Sequence, residues 1–177
     1  MTDETMRWLD EDEPGWTKID LPFPATSSSF VSGDQTRRRL SVRFFLRDTD
    51  SVLMMKVVCG PDAQGPPEHA HGGCMAAVLD EAMGAAAWLS GHPVVAAELN
   101  ITFKRMLPLK TPCVVEAEVV SVAERKVRAR SELRDPTGEI VYSTGEALLI
   151  RLNDEQLMDL AALTKRQIER RDQNGDS

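Results

Sequence analysis

A chain of 177 residues, 42% hydrophobic and 28% charged, has the size and balance of one soluble domain with its own core. Its net charge of −7 argues against a nucleic-acid partner, which needs a basic surface, and leaves any phosphate-bearing ligand to a local cluster of Lys and Arg. Three irregularly spaced cysteines (Cys59, Cys74, Cys113) do not make a disulfide framework, and neither a signal peptide nor a charge-free span of membrane length is evident, so a cytoplasmic protein with no membrane partner is expected.

Residues 1–35 read as an N-terminal arm. A short helix is expected over residues 5–12, followed by breaks at Pro14, Pro22 and Pro24 and a polar loop, SSSFVSGDQ. Trp8 and Trp16 are expected to pin the arm to the body, because large aromatics seldom stay wet. Residues 36–152 form the expected main domain. In RRRLSVRFFLRD, Leu40, Val42, Phe44 and Leu46 alternate with Ser41, Arg43 and Arg47, the period of a half-buried strand. VLMMKVVC follows a turn and reads as its antiparallel partner. The Gly- and Pro-rich GPDAQGPPEHAHGG is a loop, and CMAAVLDEAMGAAAWLS is a helix. Four further strands are predicted in VVAAELNITFKRM, CVVEAEVVSV, KVRARSELR and EIVYSTGEALLIRL. Residues 153–177 are a final helix and tail: Asn153 is its N-cap, Leu157, Leu160, Ala161 and Leu163 mark an apolar side, and DQNGDS is expected to be disordered. The fold class is α+β, with one antiparallel sheet of five or six strands and one long helix across it.

That helix is unusual. Between Gly72 and Leu89 only Asp80 and Glu81 are charged. A helix that is apolar all round is expected to be buried all round, here by a curved sheet on one side and a second subunit on the other. A carboxylate in such surroundings costs several kcal/mol unless it is paired or neutralised, so Asp80 and Glu81 are either rim residues of an interface or functional groups. Successive residues point about 100° apart, so one of the two can reach solvent or a salt bridge while the other faces a pocket.

His71-Gly72-Gly73 sits where the loop becomes the helix. The first N–H groups of a helix have no internal partner and favour negative charge, and glycine lets a ligand approach them closely. An oxyanion fits there. Asp80 lies nine residues beyond His71, roughly 13.5 Å along the axis at 1.5 Å per residue, too far for both to meet one carbonyl from the same chain. Two antiparallel helices across a two-fold axis would bring them together, so a functional Asp80 predicts a dimer.

HAHGGCMAAVLDEAMG followed by AELNITFKRMLPL resembles the hotdog-fold thioesterases of the phenylacetate-pathway type, in particular the subgroup with His-Gly-Gly-x6-Asp and a later Leu-Asn-Ile-aromatic-Lys-Arg strand. The similarity covers residues 38–152. It implies a hotdog fold, with the sheet wrapped around the central helix, in a homodimer or a dimer of dimers. It implies hydrolysis of an acyl-CoA or acyl-carrier thioester, with no cofactor beyond the coenzyme A of the substrate. Asp80 would be the nucleophile or the base that activates water. The Gly72 N–H would polarise the thioester carbonyl, and His71 would orient the carbonyl or the water. Gly73, Glu81 and Ala96 would line the substrate site. Lys104 and Arg105 would meet the phosphates of coenzyme A, and Arg125 and Lys126 could do so from a nearby turn. The pattern departs from its relatives at Gly65, where Asn or Gln is common, and at Ala96, where Thr or Ser is common.

Four other readings stand beside this one. Glu68, His69, His71 and Asp80 are ligand types for a metal. Cys74, near a helix N-terminus, is a possible nucleophile. A hotdog hydratase or dehydratase would leave the thioester intact. A non-catalytic acyl-binding accessory protein would explain Gly65 and Ala96.

Overall fold

Strand-length runs separated by turn residues recur along the chain, and in the computed structural model, which describes residues 3–21 and 29–174, they form one antiparallel sheet. The elements in chain order are α1 (Asp3–Asp10), β1 (Trp16–Ile19), β2 (Leu40–Arg47), β3 (Leu53–Cys59), a 3-10 turn at Pro61–Ala63, α2 (Gly72–Leu89), β4 (Val94–Phe103), β5 (Pro112–Ala123), β6 (Lys126–Arg134), β7 (Val141–Arg151) and α3 (Asp154–Asn174). The strand order is β1-β2-β3-β5-β6-β7-β4. Seven strands replace the five or six expected, because Trp16–Ile19 of the N-terminal arm pairs with β2. Those four residues are too short for alternation to reveal a strand.

The result is the hotdog arrangement. α2 crosses the inner face of the sheet and packs on β3, β4, β5, β6 and β7. It starts at Gly72, two residues before the apolar run expected to form it. Its sheet side is fully buried through Cys74, Met75, Val78, Leu79, Ala82, Met83 and Ala85–Ala87. The small side chains let the strands approach closely: at Gly145 of β7, a Cβ would come within 3.3 Å of the Met83 methyl. The other side of α2, expected to be closed by a second subunit, is open in the single chain. Ala76, Ala77, Asp80, Glu81, Gly84 and Trp88 stay half-exposed in the single chain. β4 is equally open. It ends the sheet, and Val95, Leu99 and Phe103 are 52%, 41% and 53% exposed.

The outer face of the sheet is also covered in part. Phe45, Met54 and Val114 form a second apolar cluster with Trp8 and Trp16, so both tryptophans do hold the arm down. Val31, from the loop expected to be purely polar, enters the main core. Pro14 lies in a turn, whereas Pro22, Pro24, Ser27 and Ser28 lie outside the described residues. Asn153 caps α3 as expected. Its Oδ1 accepts from the Gln156 N–H at 2.8 Å, and its own N–H donates to Gln156 Oε1 at 3.0 Å. α3 continues to Asn174, so 172–174 are helical rather than disordered, and 175–177 lie outside the described residues. Leu163, placed on the apolar side from its spacing, is 60% exposed; Leu157 and Thr164 turn toward the body instead.

Lys56 joins the arm to the sheet. Its side chain is fully buried on β3, yet its Nζ donates to the carbonyls of Trp8 (2.9 Å) and Glu11 (2.8 Å), pairs with Glu13 at 2.8 Å and lies over the Trp8 ring. A buried ammonium is tolerated when every proton has a partner. Lys56→Ala leaves those acceptors unanswered, and it is expected to cost about 3 kcal/mol in urea unfolding and to release α1. Release will be read as a red shift of Trp8 fluorescence.

Candidate active site

The approach to α2 is held rigidly. Gly65 N–H donates to His69 O (2.9 Å), Ala70 N–H to Leu107 O (2.8 Å) and His71 N–H to Ala63 O (2.7 Å). This explains Gly65. A Cβ there would lie 2.8 Å from the His71 Cα, so no larger residue fits without moving His71. His71 is the N-cap of α2, with extended backbone (ψ 137), and its Nδ1 accepts the Gly73 N–H at 2.9 Å. An acceptor Nδ1 places the ring proton on Nε2, leaving the imidazole exposed as a donor. The Gly73 N–H is thereby used within the turn. The Gly72 N–H has no acceptor among the described residues, and it is the donor left for a ligand. A Cβ on Gly72 would sit 3.2 Å from the Phe103 ring, so Phe103 forms one wall beside that donor. Phe103 is a candidate site residue that spacing alone did not single out; its sequence signal was the aromatic in the Leu-Asn-Ile-aromatic-Lys-Arg run.

Two turns along α2, Asp80 and Glu81 open into one cavity of about 900 Å³. Their side chains start about 100° apart on the helix, and both line the cavity. Gly84 and Trp88 of α2, Val94 and Ala96 of β4, and Leu149 of β7 continue its lining. α3 closes the far side with Leu157, Leu160, Ala161 and Thr164. Neither carboxylate has an ion-pair partner among the described residues. Burial pushes the Asp80 carboxyl above the ordinary carboxylate value. Glu81 is raised as well, by burial first and then by the neighbouring Asp80, against a hydrogen bond from Ser32 Oγ at 3.4 Å.

The cavity thus unites Asp80, Glu81 and Ala96, while His71, Gly72 and Gly73 stand at the other end of the helix. Lys104 and Arg105 are exposed just past β4, their N–H groups bonded to Tyr142 O. Within one chain Arg125 and Lys126 are not near them. Arg125 bonds Arg151 O, and Arg151 pairs with Val94 at the opposite end of β4. The two basic pairs are separated by the length of that strand, roughly 30 Å at 3.3 Å per residue. Cys74 is buried, and that burial raises its thiol pKa, which removes its promise as a nucleophile. Among the described residues, no three His, Cys, Asp or Glu side chains converge as metal ligands.

The family model described as thioesterase superfamily matches residues 68–142, which include the His-Gly-Gly turn, both carboxylates and all of β4. The acyl-coenzyme A thioesterase THEM4 of Xenopus laevis is 31% identical over 153 residues, covering 77% of this chain and 68% of that protein. A crystal structure of a thioesterase superfamily protein superposes with a TM-score of 0.58 at 29% identity, over 62% of this chain and 53% of that one. The E. coli PaaI protein from the phenylacetic acid degradation operon shares the fold, with a TM-score of 0.54 at 16% identity over 58% of this chain and 73% of that one. The chain therefore spans about two thirds of the frog relative and about half of the first of these structures.

The raised carboxylates set the sign of a pH effect. A carboxyl whose pKa is higher folded than unfolded binds its proton more tightly in the native state, so stability falls as pH rises from the ordinary carboxylate value through the raised one. Asp80→Asn is expected to raise the melting temperature at neutral pH and to flatten its decline between acid and neutral pH. Thermal unfolding across that pH range will check it.

Proposed function

The chain belongs to the thioesterase superfamily, and from that premise we propose that it hydrolyses acyl-CoA to the free acid and coenzyme A. Within the superfamily we place it in the His-Gly-Gly-x6-Asp subgroup. The observation that carries the proposal is Asp80, a half-buried carboxylate with no ion-pair partner among the described residues, held in an otherwise largely apolar cavity. A carboxylate with a raised pKa suits a general base working near neutral pH. In this reading Asp80 takes a proton from water while the water oxygen bonds to the thioester carbon. The Gly72 N–H receives the charge that develops on the carbonyl oxygen, and the His71 Nε2–H steadies the same oxygen. The C–S bond then breaks, and the thiolate leaves and is protonated. Lys104 and Arg105 offer charge to the phosphates of coenzyme A.

The reading requires a homodimer. Gly72 and Asp80 lie two turns apart on one helix, so each site takes its oxyanion donor from one protomer and its carboxylate from the other. The open face of α2 and the unpaired β4 edge support this, because an exposed apolar edge strand is a liability unless it is covered. β4 paired antiparallel with its copy also brings Lys104 and Arg105 toward the other protomer's Val94 end. The frog relative is named for acyl-CoA hydrolysis, which supports the substrate class.

Ala96 favours a second reading. It lies in the cavity without a hydroxyl, as in a protein that binds an acyl group and does not turn it over. Free-thiol release from a panel of acyl-CoAs separates the two. Wild-type protein is expected to release thiol, and Asp80→Asn to lose about 100-fold or more in kcat. Binding without thiol release would favour the second reading, and turnover unchanged in Asp80→Asn would overturn the site. An active monomer in sedimentation would overturn the composite arrangement.

A further inference from the structure

The cavity beside Asp80 is longer than the chemistry at Asp80 requires. It follows α2 for eight residues to Trp88, roughly 12 Å at 1.5 Å per residue. Its floor is held open at Gly84, one turn past Asp80, where a Cβ would meet nothing within 4 Å. Its end is set by Trp88, whose ring is fixed by an Nε1–H bond to Val94 O at 3.0 Å. The roof is the chain's own α3, which presents Leu157, Leu160 and Ala161 across the gap. The charged groups of its lining are Asp80 and Glu81, where it starts on α2, and Lys165 and Glu169 in the later part of α3. An apolar helix face held across an open cleft leaves hydrocarbon in water until something apolar fills the space. The cavity volume lies in the range of small-molecule sites.

We infer that this cleft receives the acyl chain of the substrate, a linear aliphatic chain of medium length running from Asp80 past Gly84 to Trp88, and that α3 is the lid of that acyl pocket. The inference deepens the thioesterase reading and rests on it for the thioester's position at Asp80. A largely apolar lining without hydroxyl or amide groups beyond Glu81, apart from Thr164 in α3, suits a saturated chain better than a hydroxylated ring. The cap at Asn153 fixes only the first turn of α3, and no other element of the fold packs extensively on that helix, so its apolar side is free to settle on the chain it covers.

The test narrows the cleft from each wall in the full-length protein. Gly84→Leu fills the floor, and leucine favours helix over glycine, so the fold is not compromised. Ala161→Trp fills the roof. Each variant and the wild type are assayed with acetyl-, hexanoyl- and decanoyl-CoA. The wild type is expected to prefer decanoyl-CoA, and each variant to lower the decanoyl-to-acetyl ratio of kcat/KM by about tenfold or more. A ratio unchanged in both variants would overturn the acyl pocket. So would an equal loss at every chain length, the result expected if a second copy of the chain occupies the cleft. If the wild type hydrolyses none of the three, the thioesterase reading fails, and calorimetry with a non-hydrolysable decanoyl thioether of coenzyme A still decides the pocket. Binding weakened about tenfold by both variants supports it, and binding that is absent or unaffected overturns it.

Discussion

The desolvation of two carboxylates on one apolar helix governs how this molecule is organised. α2 is hydrocarbon apart from Asp80 and Glu81, and the sheet covers only one side of it. A carboxylate on the sheet side would need a cation or a hydrogen-bond network, and among the described residues the core supplies neither. Both carboxylates therefore lie on the uncovered side. There they meet a cavity instead of packed side chains, and partial burial raises their pKa values.

The strand order decides what surrounds that side. The chain leaves α2 and enters β4, which goes to the far edge of the sheet beside β7 rather than next to β3. An edge position frees one rim of β4, and Val95, Leu99 and Phe103 remain in the open. One partner would cover the open rim of β4 and the half-exposed face of α2 as far as Asp80; from there to Trp88, α3 lies across that face. The same strand carries Phe103 to the Gly72 donor at one end and Ala96 to the carboxylate cavity at the other.

The two termini add walls to this frame by different means. The N-terminal arm is fastened to the outer face by an apolar cluster and by a buried lysine whose hydrogen bonds are all answered. Ser32, from the loop that follows, reaches Glu81. The C-terminal helix is capped at its start, yet much of its apolar surface stays open, with Met158 and Leu163 pointing to solvent. One terminus is fixed by burial; the other is placed over a space it does not fill.

Local chemistry made most of this legible in the sequence. Alternation, short apolar runs and turn residues marked six of the seven strands, and a long run apolar but for Asp80 and Glu81 marked α2. Glycines after His71 located its N-terminus, and the two carboxylates were the charged positions within it. Those are properties of residues close in the chain, where spacing and side-chain type decide the outcome. What the sequence could not supply depends on residues far apart. β1 is too short to show a period, and pairing with β2 makes it a strand. Gly65 is small because His71 packs against it, and Arg125 lies far from Lys104 because β4 runs the full length between them. Which face of α2 stays open, and that α3 roofs the cavity there, follows from strand order and chain crossing. Composition said that the helix must be buried; only the tertiary structure decided which side of it was left for a ligand, because burial is a property of neighbours that the local pattern does not name.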